Sequence, residues 1–173
     1  ETGHVYEGEL AFTAEDIDTW DRVANGSGKL AAYYADPARP AALRLRAAGH
    51  LYAKGDLAAL LGVVKAAQGP RQAELVGELA GLATADLTGD DPKAQARGAE
   101  LAFHVLAYHA KLAPELKTPL VEACLDWALA WTGREYPGER RRPPEDVFLA
   151  VAVAAPEAAR AAGLTFLREA AQD

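Results

Sequence analysis

Hydrophobic residues recur along most of this chain at the spacing of an α-helix, and prolines stand at the start of several such segments. Stretches such as 69–87 and 92–111 repeat Leu, Val and Ala at the intervals that give a helix one buried face. Proline is tolerated in the first helical turn, where its missing N–H would have no partner. We therefore expect helices to open at Pro37, Pro70, Pro92, Pro119, Pro144 and Pro156.

Local signals set the ends of these helices. Thr13 with Asp16 nearly matches a capping box, and Asp91 and Thr118 are good N-caps placed immediately before prolines. The run 25–28 holds two glycines and breaks the helical pattern. After an extended arm at residues 1–12, the predicted helices cover residues 13–23, 29–35, 37–54, 56–67, 69–87, 92–111, 119–131, 145–154 and 157–171, with a polar loop at 133–144.

The pattern also predicts how some helices pack. Gly77 and Gly81 lie one turn apart, which indicates a close helix crossing, because glycine inside a helix otherwise costs stability. Apolar spacing predicts inner faces for two helices, formed by Ala41, Leu45, Ala48 and Tyr52 in the third and by Ala159, Ala162, Phe166 and Ala170 in the last.

Length and composition place the chain among ordinary folded domains. With 173 residues, half of them hydrophobic, it can bury one core, so we expect a single all-α domain of about eight helices at 13–173. A net charge of −7 disfavours nucleic acid as a partner. The single cysteine, Cys124, forms no disulfide within the chain. No apolar run reaches the roughly 18 residues of a membrane span.

The first residues bear on location. The sequence contains no methionine, and Glu1-Thr2-Gly3 resembles the remnant of a secretion vector, which should be left out of fold reasoning. Such a remnant favours a native home in the cell envelope, the periplasm or outside the cell. The cytoplasm is the alternative, since a single cysteine is compatible with it. The bias toward Ala, Arg, Gly and Leu is typical of a GC-rich bacterial genome.

No residue pattern indicates catalysis, a metal or a cofactor. His104 shares a polar helix face with Glu100, whereas His109 points among apolar residues, where a histidine usually bonds a backbone carbonyl. The acidic run at 86–91 reads as a helix end followed by an N-cap, and it lacks the ligand alternation of a calcium loop. Cys124 lies on an apolar helix flank and is expected to be a buried small hydrophobe. We expect no catalytic residue, no metal ligand and no cofactor.

Tryptophans and arginines give the leading site hypothesis. Trp127 and Trp131 lie one turn apart on a helix, and such aromatic residues with a rim of arginines dominate many protein interfaces. The usual role of such a tryptophan pair is in the core. The hypothesis is a protein-binding surface made of Trp127, Trp131, Arg134, Tyr136, Arg140, Arg141 and Arg142.

Residues 36–67 run from a proline-opened helix through Gly55-Asp56 to a second leucine-rich helix, and residues 91–130 form a looser unit of the same kind. Each resembles a HEAT-type repeat. The resemblance implies an α-solenoid that binds partners along a concave surface; an irregular helical bundle is the alternative fold.

Three function classes follow. The first is a non-enzymatic protein-binding or scaffold module whose partner is another protein. The second is a helical domain that binds a small apolar ligand between its helices. The third is an enzyme with a site around His109 or His50, assembled with acidic residues from another helix.

Overall fold

The computed structural model of this chain describes residues 12–131 and 143–170. Within these residues the structure is helical and contains no strand, so the predicted all-α class is confirmed. The predicted arm at 1–12 lies almost wholly outside the described residues. The helices are α1 (Ala14–Trp20), α2 (Gly26–Ala35), α3 (Ala41–Ala53), α4 (Leu57–Ala66), α5 (Gly69–Leu87), α6 (Pro92–Leu106), α7 (Pro114–Trp131), α8 (Pro143–Ala154) and α9 (Pro156–Ala170), with a short 3-10 turn at His109–Lys111.

The chain divides into two compact units, one ending at Val63 and the other beginning at Val64. In the first unit α2 packs along α3, and α1 packs on both. The core of this unit consists of side chains with no exposed surface, among them Ile17, Leu30, Tyr34, Leu51 and Leu60.

The capping box predicted at Thr13 is present. Thr13 Oγ1 accepts a hydrogen bond from the Asp16 backbone N–H at 3.3 Å, and the Thr13 backbone N–H donates to Asp16 Oδ2 at 2.7 Å. Two of the helix's unpaired N–H donors are thereby satisfied. The helix ends at Trp20, three residues before the predicted end.

α2 begins at Gly26, inside the segment predicted to be a break. Asn25 adopts the left-handed conformation with φ 60° and turns the chain into the helix. A β-carbon on Gly26 would lie 1.8 Å from the carbonyl oxygen of Trp20, so glycine is required at this position. The helix predicted at residues 29–35 therefore starts three residues earlier in the structure and includes Gly26 and Gly28.

An aromatic cluster joins the start of the described chain to α1 and α2. The rings of Phe12, Trp20 and Tyr33 meet edge to face, with centroids 5.0 to 5.8 Å apart. The Arg39 guanidinium lies over Phe12 and Tyr33, at 5.4 and 5.6 Å from the ring centroids. Asp36 Oδ2 accepts a hydrogen bond from Arg39 Nε at 3.0 Å and orients this cation.

The prediction that α3 opens at Pro37 is wrong, since the helix begins at Ala41, directly after Pro40. Pro40 disfavours helical backbone at Arg39, so a helix started at Pro37 would be interrupted at once. Asp36 Oδ1 instead accepts the Ala38 N–H at 2.9 Å and closes a turn.

The predicted inner face of α3 is only partly correct. Ala48 and Tyr52 are buried as predicted, but Ala41 is exposed and Leu45 is 40% exposed. The buried face is rotated by about one residue from the predicted stripe. It consists of Arg44, Ala47, Ala48, Leu51 and Tyr52.

In the second unit the helix contacts close a ring. α5 packs against α6 and α7, and α8 packs against the same two helices on the other side, which is the arrangement of a four-helix bundle. α9 lies outside this ring, against α8 and α7. Fully buried leucines fill the unit, including Leu75, Leu79, Leu101 and Leu120.

Gly98 on α6 marks a close helix approach in the second unit that the sequence did not predict. A β-carbon on Gly98 would lie 2.9 Å from the Ala83 carbonyl oxygen on α5. Gly77 does face another helix, with Leu116 Cδ1 at 2.9 Å from its β-carbon position, but Gly81 is exposed with nothing within 4 Å. The predicted crossing is therefore half correct.

The ends of α6 and α7 differ from prediction. Asp91 caps α6 by accepting the Lys93 N–H at 3.0 Å, as predicted, but the helix ends at Leu106. The prediction that Thr118-Pro119 opens α7 is wrong. The Ala113 carbonyl accepts N–H groups of the first turn and starts α7 at Pro114, which leaves Pro119 inside the helix.

The last two helices match prediction closely, each beginning within two residues of the predicted start. On α9, Ala159 is buried as predicted, whereas Ala162 and Phe166 are half-buried. Across residues 12–131 and 143–170, no helix has the length and apolar character needed to cross a membrane.

Candidate functional site

The most exposed large apolar side chains of the described residues all lie on α8 and α9. Val153 is 72% exposed, Leu167 64%, Leu149 62% and Leu164 50%, whereas the next is Val23 at 42%. We call these four side chains the α8–α9 surface. Single exposed apolar residues are ordinary, but a group on neighbouring helices marks a candidate interaction site.

The sequence of α8 explains why it has an apolar outer face. After the first turn the helix is made only of Val, Phe, Leu and Ala, so every face it presents is apolar. Val147 and Val151 point into the bundle and are buried. Leu149 is two residues from each of these valines, which is a rotation of about 200° around the helix, so its side chain points outward. Val153 follows Leu149 by one turn and also points outward.

α9 folds back beside α8 after a single connecting residue, Ala155. A β-carbon on Gly163 would lie 3.8 Å from Phe148 Cζ, so this part of α9 faces α8. Ala159, Gly163 and Leu167 follow one another at intervals of one turn, and this row passes from buried to 64% exposed. Leu167 consequently lies at the edge of α9 that is nearest to α8.

Acidic side chains border the α8–α9 surface. Glu145 and Asp146 are exposed in the first turn of α8, and Glu145 lies one turn before Leu149. On α9 the exposed Glu157 and Arg160 approach each other at 3.9 Å.

The structure places the tryptophans of the sequence hypothesis at different depths. Trp127 is 5% exposed and belongs to the core of the second unit, while Trp131, the last residue of α7, is half-buried. The other five residues of the hypothesis lie outside the described residues. They are Arg134, Tyr136, Arg140, Arg141 and Arg142.

A cluster of charged side chains joins α1 to α3 in the first unit. Arg46 Nε and Nη2 donate to the two carboxylate oxygens of Asp18, each at 2.6 Å. His50 Nε2 lies 2.7 Å from Asp18 Oδ1. These hydrogen bonds, that from Arg46 above all, hold the pKa of Asp18 well below its ordinary value.

The same cluster continues at the end of α1. His50 Nδ1 lies 3.8 Å from Asp21 Oδ2, and Lys54 Nζ lies 2.9 Å from Asp21 Oδ1. Lys54 also donates to the Asp21 backbone carbonyl. Arg46, His50 and Lys54 recur at one-turn intervals and alternate with the two carboxylates, so the arrangement fastens two helices together.

The cluster also bears on the predicted enzyme alternative around His50. The structure does bring an acidic residue, Asp18, to this imidazole. The same carboxylate accepts two hydrogen bonds from Arg46, and the other ring nitrogen faces Asp21. His50 Nε2 is thus hydrogen-bonded within the contact that joins the helices, and Nδ1 faces a second carboxylate of the same cluster at 3.8 Å, which supports a structural role.

The remaining candidate groups take the positions expected of structural residues. His109 Nδ1 lies 3.1 Å from the Leu106 carbonyl oxygen, the backbone contact expected from the sequence. Cys124 is fully buried, and burial raises the pKa of its thiol to about 12. In residues 12–131 and 143–170 no group of His, Cys, Asp and Glu side chains is placed to hold a metal ion.

Sequence reasoning missed both the α8–α9 surface and the α1–α3 cluster. The cluster left a signal, since three basic or ionisable residues at one-turn spacing on α3 match two acidic residues at similar spacing on α1. The α8–α9 surface left a weaker signal in the sequence, which is that α8 has no polar face after its first turn.

Comparisons with known proteins add no relative. No family model, no curated protein and no solved structure matches this chain.

Proposed function

We propose that this chain is a non-enzymatic protein-binding module and that the α8–α9 surface is its docking face. One observation carries the proposal: the four most exposed large apolar side chains of the described residues belong to two neighbouring helices. Every other large apolar side chain of the described residues is at most 42% exposed, so the group on α8 and α9 stands apart and supports a binding role.

The energetics support a docking role. Burying a Leu or Val side chain completely is worth about 1.5–3 kcal/mol, and a partly exposed one gains a share of this value. About 1.4 kcal/mol changes an affinity tenfold. Covering Leu149, Val153, Leu164 and Leu167 together therefore supplies enough free energy to anchor an interface.

Two features inferred from the sequence agree with this function. Trp131 lies half-buried at the end of α7 and is proposed as a further contact for the partner. The resemblance of 36–67 and 91–130 to HEAT-type units stays a proposal, and it points to the same class, since helical solenoids serve mainly as binding scaffolds.

The experiment compares partner capture by matched variants. Wild type, Leu149→Asp with Val153→Asp, and Val23→Asp with Leu45→Asp are immobilised and exposed to extract of the encoding organism. Both pairs add two charges at exposed apolar positions, but only the first alters the α8–α9 surface. We expect a protein retained by wild type and the control and lost by the first variant.

Circular dichroism and urea unfolding establish that all three proteins are folded. Retention of the same proteins by all three would contradict the proposed docking face. Equal loss by both variants would show that added charge, not the surface, governs capture.

A further inference from the structure

We infer that Asn25 is a site of spontaneous deamidation that the folded first unit protects, so that the residue reacts only when the turn between α1 and α2 opens. The inference is independent of the proposed function. It follows from the residue pair Asn25-Gly26, from the backbone conformation of Asn25 and from the contacts of the Gly26 amide.

The reaction joins the asparagine side chain to the main chain. A base removes the proton of the Gly26 N–H, the nitrogen attacks Cγ of Asn25, and the side-chain nitrogen takes up a proton and leaves as ammonia. Water then opens the five-membered succinimide at either carbonyl group, which gives aspartate or isoaspartate. Asparagine is thermolabile, and a following glycine favours the attack because it has no side chain to shield its nitrogen. Asn25 is the sole asparagine of the sequence.

The backbone of Asn25 protects the residue, whereas its side chain does not. The side chain is exposed and forms no capping hydrogen bond with α2. Attack requires Cγ and the Gly26 nitrogen to lie on the same side of the Cα–C bond, which for an L-residue needs ψ of about −120°, outside the usual regions. Asn25 instead has φ 60° and ψ 16°. The peptide unit must therefore rotate far from its native orientation before the ring can close.

Two contacts of Gly26 oppose this rotation. Its N–H donates to the Val23 carbonyl oxygen at 3.0 Å and closes the turn between α1 and α2. Its α-carbon lies so near Trp20 that a β-carbon would come within 1.8 Å of the Trp20 carbonyl oxygen. The Trp20 ring packs edge to face on Tyr33 of α2, with centroids 5.6 Å apart. Deamidation is therefore coupled to local opening of this turn.

The isoaspartate product differs from asparagine in the main chain itself. Cβ becomes a main-chain atom and lengthens the path from residue 25 to residue 26. The hydrogen bond to Val23 and the close approach to Trp20 both depend on the native spacing of this turn. A chain that opens and forms isoaspartate therefore cannot close the turn again. The aspartate product keeps the native main chain, and aspartate is accepted in the left-handed conformation and as an N-cap.

The test compares the folded and the unfolded full chain at pH 8, in buffer and in guanidinium chloride. Trypsin cleavage after Arg22 and Lys29, at mildly acidic pH, isolates residues 23–29, and mass spectrometry gives the fraction in which the amide has become a carboxyl. We expect the reaction to be at least about a hundredfold faster in guanidinium chloride. Equal rates would overturn the inference, and so would an unmodified Asn25 in guanidinium chloride.

The chain offers an internal control in Gln68-Gly69, which trypsin releases in the peptide 66–71. This pair also places glycine after a side-chain amide, but the longer glutamine side chain would have to close a six-membered ring. Gln68 should keep its amide under both conditions. Loss of both amides at one rate would show hydrolysis without ring closure and refute the mechanism.

Two leucine variants locate the opening. Trp20→Leu removes the ring that packs on Tyr33 and should raise the rate in buffer at least about tenfold, with the rate in guanidinium chloride unchanged. Phe103→Leu removes a ring at an exposed position on α6 in the second unit and should leave both rates unchanged. An unchanged rate in Trp20→Leu, or an equal increase in Phe103→Leu, would contradict opening of this turn.

Hydrogen exchange gives a measurement on wild type that is independent of the folding of any variant. Opening that frees the Gly26 N–H from Val23 exposes it to exchange as well as to reaction. Low concentrations of urea should therefore accelerate exchange at Gly26 and deamidation at Asn25 by the same factor. Deamidation that does not follow this exchange would refute the coupling.

The reacted chains test the consequence for folding. After reaction in guanidinium chloride the denaturant is removed, and isoaspartyl chains are labelled with isoaspartyl methyltransferase. We expect the label in the fraction that does not regain native circular dichroism, whereas Asn25→Asp should refold as wild type does. Isoaspartyl chains with the helicity and urea midpoint of wild type would show that the turn accepts the longer main chain and would refute this part of the inference.

Discussion

The guanidinium of Arg46 on α3 holds the carboxylate of Asp18 on α1 with two hydrogen bonds of 2.6 Å. The residues lie 28 positions apart, so the pair fixes a tertiary contact. Two-pronged contact between a guanidinium and a carboxylate is the strongest geometry available to such a pair. The Asp18 carboxylate is also bonded by His50, which makes it the central acceptor of the α1–α3 cluster.

The first prediction concerns Asp18 and acid pH. Its folded-state pKa is depressed by Arg46 and then by His50, whereas in the unfolded chain an aspartate has a pKa of about 3.9. The carboxylate therefore stabilises the fold above pH about 4, and this contribution is lost as pH falls below that value. Asp18→Asn should lower the urea midpoint at pH 7, and its difference from wild type should narrow from pH 5 to pH 2.

Asp126→Asn serves as the control, since this residue is exposed on α7 and lies outside the cluster. A constant difference between Asp18→Asn and wild type over the acid range would contradict the depressed pKa. No difference at pH 7 would show that the contact is without effect on stability.

The second prediction compares two glycines. At Gly98 a β-carbon would meet the backbone of α5, with the Ala83 oxygen at 2.9 Å and the Leu87 nitrogen at 3.1 Å. Gly98→Ala should lower the free energy of unfolding by about 1–3 kcal/mol, because the helices must move apart. Gly81→Ala on α5 meets nothing within 4 Å and should raise it by about 0.5–1 kcal/mol.

Denaturant unfolding of the two variants checks this pair. The opposite signs are the diagnostic result, since helix propensity alone would make both substitutions stabilising. A stabilising Gly98→Ala would mean that α5 and α6 pack less closely than described.

The third prediction concerns the single thiol. Because burial raises the pKa of Cys124 to about 12, little thiolate forms at pH 8. Reaction of the native protein with Ellman's reagent should be at least about a thousandfold slower than that of the protein in guanidinium chloride. Comparable rates would place the thiol at the surface.

The fourth prediction separates the two tryptophans. Trp127 is 5% exposed, so Trp127→Ala should cost about 3–5 kcal/mol of stability. Trp131 is half-buried, and Trp131→Ala should cost less stability while weakening partner binding. Denaturant unfolding and capture of the same partner distinguish these effects, and unfolding of Trp131→Ala would assign that residue to the core.

Local signals predicted the parts of the fold that depend on neighbouring residues. The capping box at Thr13, the N-cap at Asp91 and both ends of α5 follow from side chains within a few positions of each helix end. The helix starts predicted at Pro37 and Pro119 were wrong because neighbouring residues determine where these two helices begin. Pro40 disfavours helical backbone at Arg39, and hydrogen bonds to the Ala113 carbonyl start α7 at Pro114, five residues before Pro119.

Tertiary features were harder to predict. The burial of Arg44 in place of Leu45 depends on how α3 is rotated against its neighbours, which spacing alone does not determine. The α8–α9 surface was missed for a related reason. A helix that is apolar all round predicts burial on every side, and only the packed structure shows which side the bundle leaves uncovered.

The close approach of Gly26 to the main chain of Trp20 has a consequence for recognising related sequences. Any larger residue would collide with the main chain of Trp20, so no compensating change of a side chain elsewhere can relieve the conflict. A gene copy that acquires another residue here must rebuild the turn or lose the fold. Glycine following a left-handed residue should therefore persist in descendants of this chain after most of its surface has drifted, and can serve as an anchor for aligning them.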